Sequence, residues 1–171
     1  MPRGEVMQHM IAGNNLGLII CRQQSQQGDW SLCGVTDSII ESSAISNKTR
    51  EINSLFPLYL HPMTTAEKAM GIEKQPNISA EFYGRVEFML GYKPTPEAIF
   101  NYIYAIFHSP TYRSRYAEFL KGDFPRIPLT RNVDLFRQLG EWGEQLVGLH
   151  LMKSPILNKT PPWAYPSVDC R

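Results

Sequence analysis

The sequence has few cysteines and no long apolar run. Its 171 residues include three cysteines, Cys21, Cys33 and Cys170, and no two of them form a Cys-x-x-Cys pair. A small, odd number of cysteines argues against a disulfide framework and favours a reducing compartment. Apolar runs such as residues 16–21 are far too short to span a bilayer, and the first residues lack the apolar core of a signal peptide. We therefore expect a soluble cytoplasmic protein.

An excess of charge of one sign is missing as well. The chain has 17 Lys and Arg residues against 16 Asp and Glu residues, which gives a formal net charge of +1. Because the whole chain is not a polycation, any surface for nucleic acid must come from local clustering of charge. The hydrophobic share of 43% is enough for an ordinary core, and the length fits one domain with or without a tail.

Motifs for catalysis and metal binding are also absent. The chain has no Asn-Pro-Pro-Tyr methyltransferase motif, no Walker A phosphate loop and no evident carboxylate cluster of a nuclease. Its histidines show no metal-ligand spacing with the cysteines, and His108, at a predicted helix end, is expected to cap that helix. The sequence predicts no catalytic site, no metal and no cofactor, so a small enzyme is a hypothesis without a residue constellation to carry it.

Strand patterns dominate the first third of the chain. Residues 66–76, which follow, are polar and predict a loop. The turn chemistry between the apolar runs fits an antiparallel sheet better than crossover helices. Four strands are predicted, at residues 16–21, 30–35, 39–45 and 55–60.

Helix patterns dominate the rest of the chain. Capping hydroxyls predict three helix starts, at Ser79, at Thr95 before Pro96 and at Ser109 before Pro110. A last helix is predicted from about Val133 to Leu151, whereas the two prolines in residues 124–128 exclude a helix there. The apolar stripes expected to face the core are Tyr112, Tyr116, Phe119 and Leu120 in the third helix and Leu135, Leu139, Trp142, Leu146 and Leu149 in the last.

These patterns predict an α+β fold, in which N-terminal antiparallel strands precede a mainly helical C-terminal half. Gly140 and Gly143 fall beside the stripe of the last helix, where a closely packed partner helix could lie. We expect one domain over residues 1–153, strand-rich over 16–62 and helical over 79–151. The proline-rich residues 154–171 predict an irregular tail.

Six segments, taken in order, carry a resemblance to a known family. They are Arg3 with Glu5-Val6-Met7, Asn15-Leu16-Gly17-Leu18 up to Arg22, Ser46-Asn47-Lys48-Thr49 before Leu55 to Leu60, Tyr102 to Ile106, His108-Ser109-Pro110 to Tyr116, and Phe119-Leu120-Lys121 with Asp123 to Pro128. Together they resemble the C-terminal target-recognition (specificity) domain of type ISP restriction–modification enzymes. Related stretches occur in type IIG fusions of restriction enzyme and adenine methyltransferase.

The resemblance implies a DNA-binding target-recognition domain that follows an adenine methyltransferase and is not catalytic on its own. The implied partner is double-stranded DNA, with a methyltransferase or restriction subunit in trans as a further one. Relatives continue after the last helix into further strands, whereas this chain ends in residues 161–171, so we expect a domain shortened at its C-terminus. The alternative is a protein-interaction module or remnant that packs on a methyltransferase partner or on a second copy.

Residues 112–131 hold the strongest local charge. Two acidic residues, Glu118 and Asp123, lie among five basic ones, which leaves a net charge of five minus two, or +3. The planar fork of arginine donates two hydrogen bonds to phosphate at once, although a solvated helix face with salt bridges would have the same composition. The candidate phosphate ligands are Arg113, Arg115, Lys121, Arg126 and Arg131.

A second candidate site lies between two predicted strands. Asparagine can pair with adenine, and lysine or arginine with guanine, although a polar hairpin turn would look alike. Motifs shared by relatives that recognise different sequences cannot encode the difference, so they are expected to hold phosphate or the fold. Base contacts are then expected in residues 23–30 or 66–77. The members of this second site are Ser46, Asn47, Lys48, Thr49 and Arg50.

Overall fold

Strands come first along the chain and helices dominate after them. The structure is a computed structural model, and it describes residues 4–25, 28–45 and 52–158. The predicted α+β class, with antiparallel strands before a mainly helical half, is confirmed. The elements are α1 (Gly4–Ile11), β1 (Gly17–Cys21), β2 (Cys33–Thr36), β3 (Asn53–Pro57), β4 (Tyr59–Leu60), α2 (Thr65–Ala69), β5 (Gln75–Pro76), α3 (Ala80–Leu90), α4 (Pro96–His108), α5 (Pro110–Arg115), α6 (Ala117–Gly122), α7 (Val133–His150) and a 3₁₀ helix (Pro155–Asn158).

The larger sheet has three antiparallel strands in the order β2-β1-β3. Strand β1 is central, and all five of its residues are buried, as its continuous apolar run predicts. Cys21, at the end of β1, lies opposite Asn53, the first residue of β3. Gly17, at the other end, lies opposite Pro57. The segment that follows β1 and the segment that precedes β3 therefore lie at the same end of the sheet.

Two strand predictions are wrong in detail. Residues 39–45, expected to be a strand, form bends and turns, and the backbone N–H of Asn53 donates to the carbonyl of Ser42 at 3.0 Å. The Asn53 side chain also donates to the Glu41 carbonyl, at 3.1 Å, so this segment is bound to the first residue of β3 without forming a strand beside it. Residues 55–60 were expected to be one strand, but the chain leaves the larger sheet after β3 and then pairs β4 with β5, Tyr59 lying opposite Pro76.

The loop predicted at residues 66–76 begins with a helix instead. The Thr64 hydroxyl accepts from the backbone N–H of Glu67 at 3.1 Å, and the Glu67 carboxylate accepts from the backbone N–H of Thr64 at 2.8 Å. This reciprocal capping box, whose signature is Thr-x-x-Glu, starts α2. Helix α1 near the N-terminus was not predicted either. Both helices are short, with eight residues in α1 and five in α2.

The capping predictions in the second half are confirmed. The hydroxyls of Ser79, Thr95 and Ser109 accept from backbone N–H groups three residues on, at 3.2, 3.2 and 3.4 Å. Gly91 ends α3 in the left-handed region, at φ 73°, which a glycine adopts without strain. Residues 124–128 are not helical, and the Tyr102 hydroxyl donates to the Pro128 carbonyl there at 2.7 Å.

The third predicted helix is interrupted. At Tyr116 the backbone turns to φ −110° and ψ 17°, which separates α5 from α6. Tyr112 and Leu120 are buried as expected, but the side chain of Phe119 is 78% exposed. The break rotates α6 relative to α5, so a single helical stripe does not describe the pair.

The predicted stripe of α7 is buried only in part, because Leu139 and Leu146 pack against the core whereas two other members are exposed. Phe136, Gly143 and Val147 face α4, whereas Leu135 and Trp142 are 42% and 51% exposed. The expectation that Trp142 belongs to the core is therefore wrong. The prediction of close packing beside the glycines is confirmed, because Gly143 lies against the backbone of α4. Where two backbones approach, the smallest side chain faces the partner.

The chain after α7 turns back on its C-terminal end. The backbone N–H groups of Lys153 and Ser154 donate to the Gly148 carbonyl at 2.8 and 2.9 Å, and a 3₁₀ helix follows. The rest of the predicted tail, residues 159–171, lies outside the described residues, and the boundary at 153/154 stays a prediction. No described helix is long and apolar enough to cross a membrane.

Candidate nucleic-acid interface

An ion pair joins the end of β1 to the end of α6. Arg22 Nε lies 2.9 Å from Asp123 Oδ1, and both side chains are exposed. Close by, the backbone N–H of Gln24 donates to the Lys121 carbonyl at 3.1 Å. The backbone N–H of Phe124, followed by the Arg22 guanidinium, lowers the pKa of Asp123 below its ordinary value. Arg22 lies 101 residues from its partner, so local charge counting could not identify it.

Three of the predicted phosphate ligands are exposed. These are Arg115 at the end of α5, Arg126 in the segment after α6, and Arg131 before α7. Within the described residues, no ion pair occupies any of the three. Lys121 instead lies 3.0 Å from Glu118, one turn back on α6. Of the basic cluster in residues 112–131, Lys121 therefore belongs to a salt-bridged helix face, whereas Arg115, Arg126 and Arg131 have no ion-pair partner in the described chain.

Arg113 is turned inward and half-buried. Its Nε donates to the Phe107 carbonyl at 2.6 Å, and one terminal nitrogen lies 3.0 Å from His108 Nδ1. Its guanidinium carbon lies 5.7 Å from the ring centroid of Trp30. Arg113, rather than His108, therefore caps the C-terminal end of α4, and the expectation for His108 is corrected. The N–H groups of Arg113 thus bind other residues of the protein, the Phe107 carbonyl and the His108 ring.

His108 packs in an aromatic cluster at the same helix end. Its ring centroid lies 4.5 Å from that of Tyr104 and 5.0 Å from that of His150. Burial, then the charge of Arg113 and the neighbouring His150, lowers the pKa of His108 to about 4. The imidazole is therefore neutral at physiological pH. Its Nδ1 can accept from Arg113, which is the arrangement that the 3.0 Å contact requires.

A pocket opens between α5–α6 and the segment after them. Its volume is about 340 Å³, and its lining includes Tyr112, Tyr116, Phe119 and Phe124. The Tyr112 hydroxyl donates to the carbonyl of Arg126 at 2.7 Å, which fixes that segment to α5. The pocket lies where the chain turns at Tyr116, between α5 and α6.

The second predicted site, Ser46, Asn47, Lys48, Thr49 and Arg50, lies outside the described residues. The chain resumes at Ile52 and enters β3 at Asn53, opposite Cys21 and next to Arg22. Residues 66–77 follow β4, beyond the opposite end of the sheet. Asn77, at the end of that range, nevertheless lines a cavity together with Phe124 and Pro125 of the segment after α6. In the described ranges no group of three or more His, Cys, Asp or Glu side chains could hold a metal ion.

Two solved structures share this fold. A DrdV–DNA complex determined by cryoEM matches 90% of the chain with a TM-score of 0.64 and 26% identity. A nuclease-deletion mutant of the type ISP restriction–modification enzyme LlaGI, in complex with a DNA substrate mimic, matches 81% with a TM-score of 0.55 and 25% identity. The matched parts are 13% and 10% of those chains, so this chain spans a small fraction of either protein.

Sequence comparison gives the family. No curated protein matches the chain. The family model of the type ISP C-terminal specificity domain matches residues 1–167, which is nearly the whole chain. The chain belongs to the family of type ISP C-terminal specificity domains.

Proposed function

We propose that this chain binds double-stranded DNA as a target-recognition domain and has no catalytic site of its own. The observation that carries the proposal is that two solved relatives, which share the fold over most of this chain, are in complex with DNA or with a DNA substrate mimic. Membership of a specificity-domain family supports the same role. Any catalysis, adenine methylation included, is then carried out by a methyltransferase that is either joined to this domain in one chain or bound to it as a separate subunit.

The phosphate-binding face of this proposal is formed by Arg115, Arg126 and Arg131. Their guanidinium groups are exposed and not engaged in the ion pairs of the described chain, so they can bind phosphate without first breaking a salt bridge. Lys121 adds positive charge, offset by Glu118. Arg113 supports this face indirectly, because its donors hold the end of α4.

Ser46 to Arg50 remain proposed base or phosphate contacts. The described chain after them begins at Ile52 and enters β3 at Asn53, opposite the strand end that leads to Arg22. Because this segment is shared with the family, we propose that its hydroxyl, amide and cationic side chains hold phosphate or a base common to the relatives. The base contacts that differ between relatives would then come from residues 23–30 or 66–77.

The salt dependence of duplex binding tests the proposal. Labelled duplex titrated at low salt should bind, and log affinity should fall linearly with log salt concentration. Arg126→Gln should reduce that slope by about one. Arg85→Gln removes the same charge from an exposed i,i+4 pair on α3 and should leave the slope unchanged. Absence of binding at low salt would refute the DNA-binding role, and equal slopes for the two variants would refute the assigned face.

A second candidate role rests on the outer face of α7. Leu135 and Trp142 lie one stripe away from the buried residues and are exposed. An apolar strip of this kind on a helix indicates a protein contact. The occupant we propose is the methyltransferase portion of a restriction–modification protein, because the solved relatives carry the matching domain as 13% and 10% of much longer chains.

Co-sedimentation distinguishes this role from self-association. The chain alone should sediment as a monomer and should co-sediment with a methyltransferase polypeptide encoded beside it. Trp142→Glu should abolish that association, whereas Phe88→Glu, at a still more exposed aromatic residue on α3, should not. A dimer of the chain alone that Trp142→Glu dissociates would assign the strip to a second copy instead.

A further inference from the structure

The pocket between α5–α6 and residues 124–128 is lined by four aromatic rings, of which only that of Tyr112 belongs to the core. Tyr112 is its buried floor, and its ring centroid lies 5.1 Å from that of Tyr116. Phe119 is 78% exposed and makes no ring contact with another aromatic residue in the described chain. Phe124, also exposed, meets Phe56 edge to face at 5.8 Å. We call Tyr112, Tyr116, Phe119 and Phe124 the aromatic cleft.

The rim of the aromatic cleft is polar and carries both signs of charge. Asp123 and Arg126 belong to its lining. The Asp123 carboxylate, paired with Arg22, is ionised and can only accept hydrogen bonds, whereas the Arg126 guanidinium can only donate them. Carboxylate with exocyclic amine and guanidinium with ring nitrogen or carbonyl oxygen are the pairings that nucleobases make with proteins.

Size and surrounding charge favour one class of ligand. A cavity of about 340 Å³ lies at the small end of the range for small-molecule sites, roughly 300–1,000 Å³. Arg126, which belongs to the lining, places positive charge beside the rings. A flat, apolar-faced ring attached to a phosphate backbone satisfies both features, because the ring can stack on the aromatic side chains while the backbone meets Arg126.

We infer that the aromatic cleft accepts one unpaired nucleobase of the bound DNA, which stacks on Phe119. This inference rests on the proposed DNA-binding function and adds a stacking site to its phosphate contacts. The unpaired base could come from a single strand or from a base displaced from a duplex. A paired base inside a duplex cannot enter, because its faces are covered by its neighbours.

Four DNA probes of one sequence test the inference at low salt. They are a fully paired duplex, the same duplex with one unpaired nucleotide, the same duplex with an abasic residue at that position, and the single strand. The unpaired nucleotide should strengthen binding about tenfold over the abasic probe, because only the former supplies a ring to stack. The abasic probe controls for flexibility at the bulge. The affinities of the single strand and of the bulged duplex, compared at equal length, identify the source of the base. Tighter binding of the single strand assigns the base to a single strand, and tighter binding of the bulged duplex assigns it to a base displaced from a duplex.

Substitutions at Phe119 separate stacking from general apolar contact. Phe119→Leu should lose most of the tenfold preference, and Phe119→Trp should keep it, because only the latter retains an aromatic face. Phe88→Leu is the matched control, since Phe88 is 82% exposed but lies on α3, away from the cleft. Both positions are at the surface, so neither change removes core packing.

The outcomes separate this inference from the proposed function. Equal binding of the bulged and abasic probes, with salt-sensitive duplex binding intact, overturns the aromatic cleft as a base site and leaves DNA binding standing. A preference that survives Phe119→Leu also overturns it. Failure of every probe to bind at low salt overturns the proposed function itself.

Discussion

Gly143 in α7 lies directly against the backbone of Asn101 in α4. A Cβ atom at position 143 would stand 1.9 Å from the Asn101 carbonyl oxygen, far inside van der Waals contact. The two helices therefore meet backbone to backbone at this point. Phe136 and Val147, the buried residues on either side of Gly143, follow from the same contact, because it fixes which side of α7 faces α4.

Replacing Gly143 with alanine should destabilise the fold. The added methyl group has no room beside Asn101, so α7 must move away from α4, and we expect the free energy of unfolding to fall by about 3 kcal/mol. Gly148→Ala is the matched control on the same helix, because the nearest atom to a Cβ there is 3.9 Å away. It should be neutral or stabilising by up to about 1 kcal/mol. Urea unfolding measures both, and similar stabilities for the two variants would contradict the close crossing.

Adjacent residues of α7 should differ strongly in their contribution to stability. Phe136 is buried and stacks on Tyr102 with ring centroids 4.7 Å apart, so Phe136→Ala should cost about 3–5 kcal/mol. Leu135 is 42% exposed, and Leu135→Ala should cost less than about 1 kcal/mol. Thermal or urea unfolding of the pair measures the phase of the helix. A larger loss of stability for Leu135→Ala than for Phe136→Ala would support the buried stripe that the sequence alone predicts.

Features that depend on neighbours within a few residues could be predicted from the sequence. The caps at Ser79, Thr95 and Ser109 each join atoms three residues apart, and all three helix starts are where the sequence places them. The buried phase of α7 could not be predicted in this way. Two stripes of that helix are apolar, one through Leu135 and one through Phe136, and only the contact with Asn101 in another helix decides between them.

The candidate site shows the same limit. Charge counting locates a basic segment, but it treats Arg113 and Arg115 alike, although one is turned toward the core and the other toward solvent. Arg22 contributes to the same region from 101 residues away. The aromatic cleft requires the chain to break at Tyr116, and the sequence offers no proline or glycine there to indicate it.

Substitutions of Arg113 and Arg115 should therefore differ, the first lowering stability and the second weakening DNA binding. Arg113→Gln removes the donor to the Phe107 carbonyl and the contact with His108, and should lower the free energy of unfolding by about 2–3 kcal/mol. Arg115→Gln should change stability by less than about 0.5 kcal/mol but weaken duplex binding at low salt. Unfolding curves and DNA titrations of both variants make the comparison. A stable Arg113→Gln protein with weakened DNA binding would place Arg113 in the phosphate-binding face after all.

The stability of the domain should fall as the pH is lowered through the titration of His108. Its folded-state pKa of about 4 lies below the ordinary value of 6.5, because burial and then the charges of Arg113 and His150 oppose protonation. The unfolded state therefore binds the proton first, and the contribution of the neutral imidazole is complete above about pH 6.5 and is lost as the pH falls toward 4. The slope from this one group is at most about 1.4 kcal/mol per pH unit.

Replacement of His108 by glutamine keeps an acceptor near Arg113 and removes the titration. Urea unfolding of His108→Gln between about pH 7 and pH 5 should therefore show a free energy of unfolding that depends less on pH than that of the unaltered chain. Parallel curves for His108→Gln and the unaltered chain would mean that protonation at the end of α4 does not limit the stability of this fold.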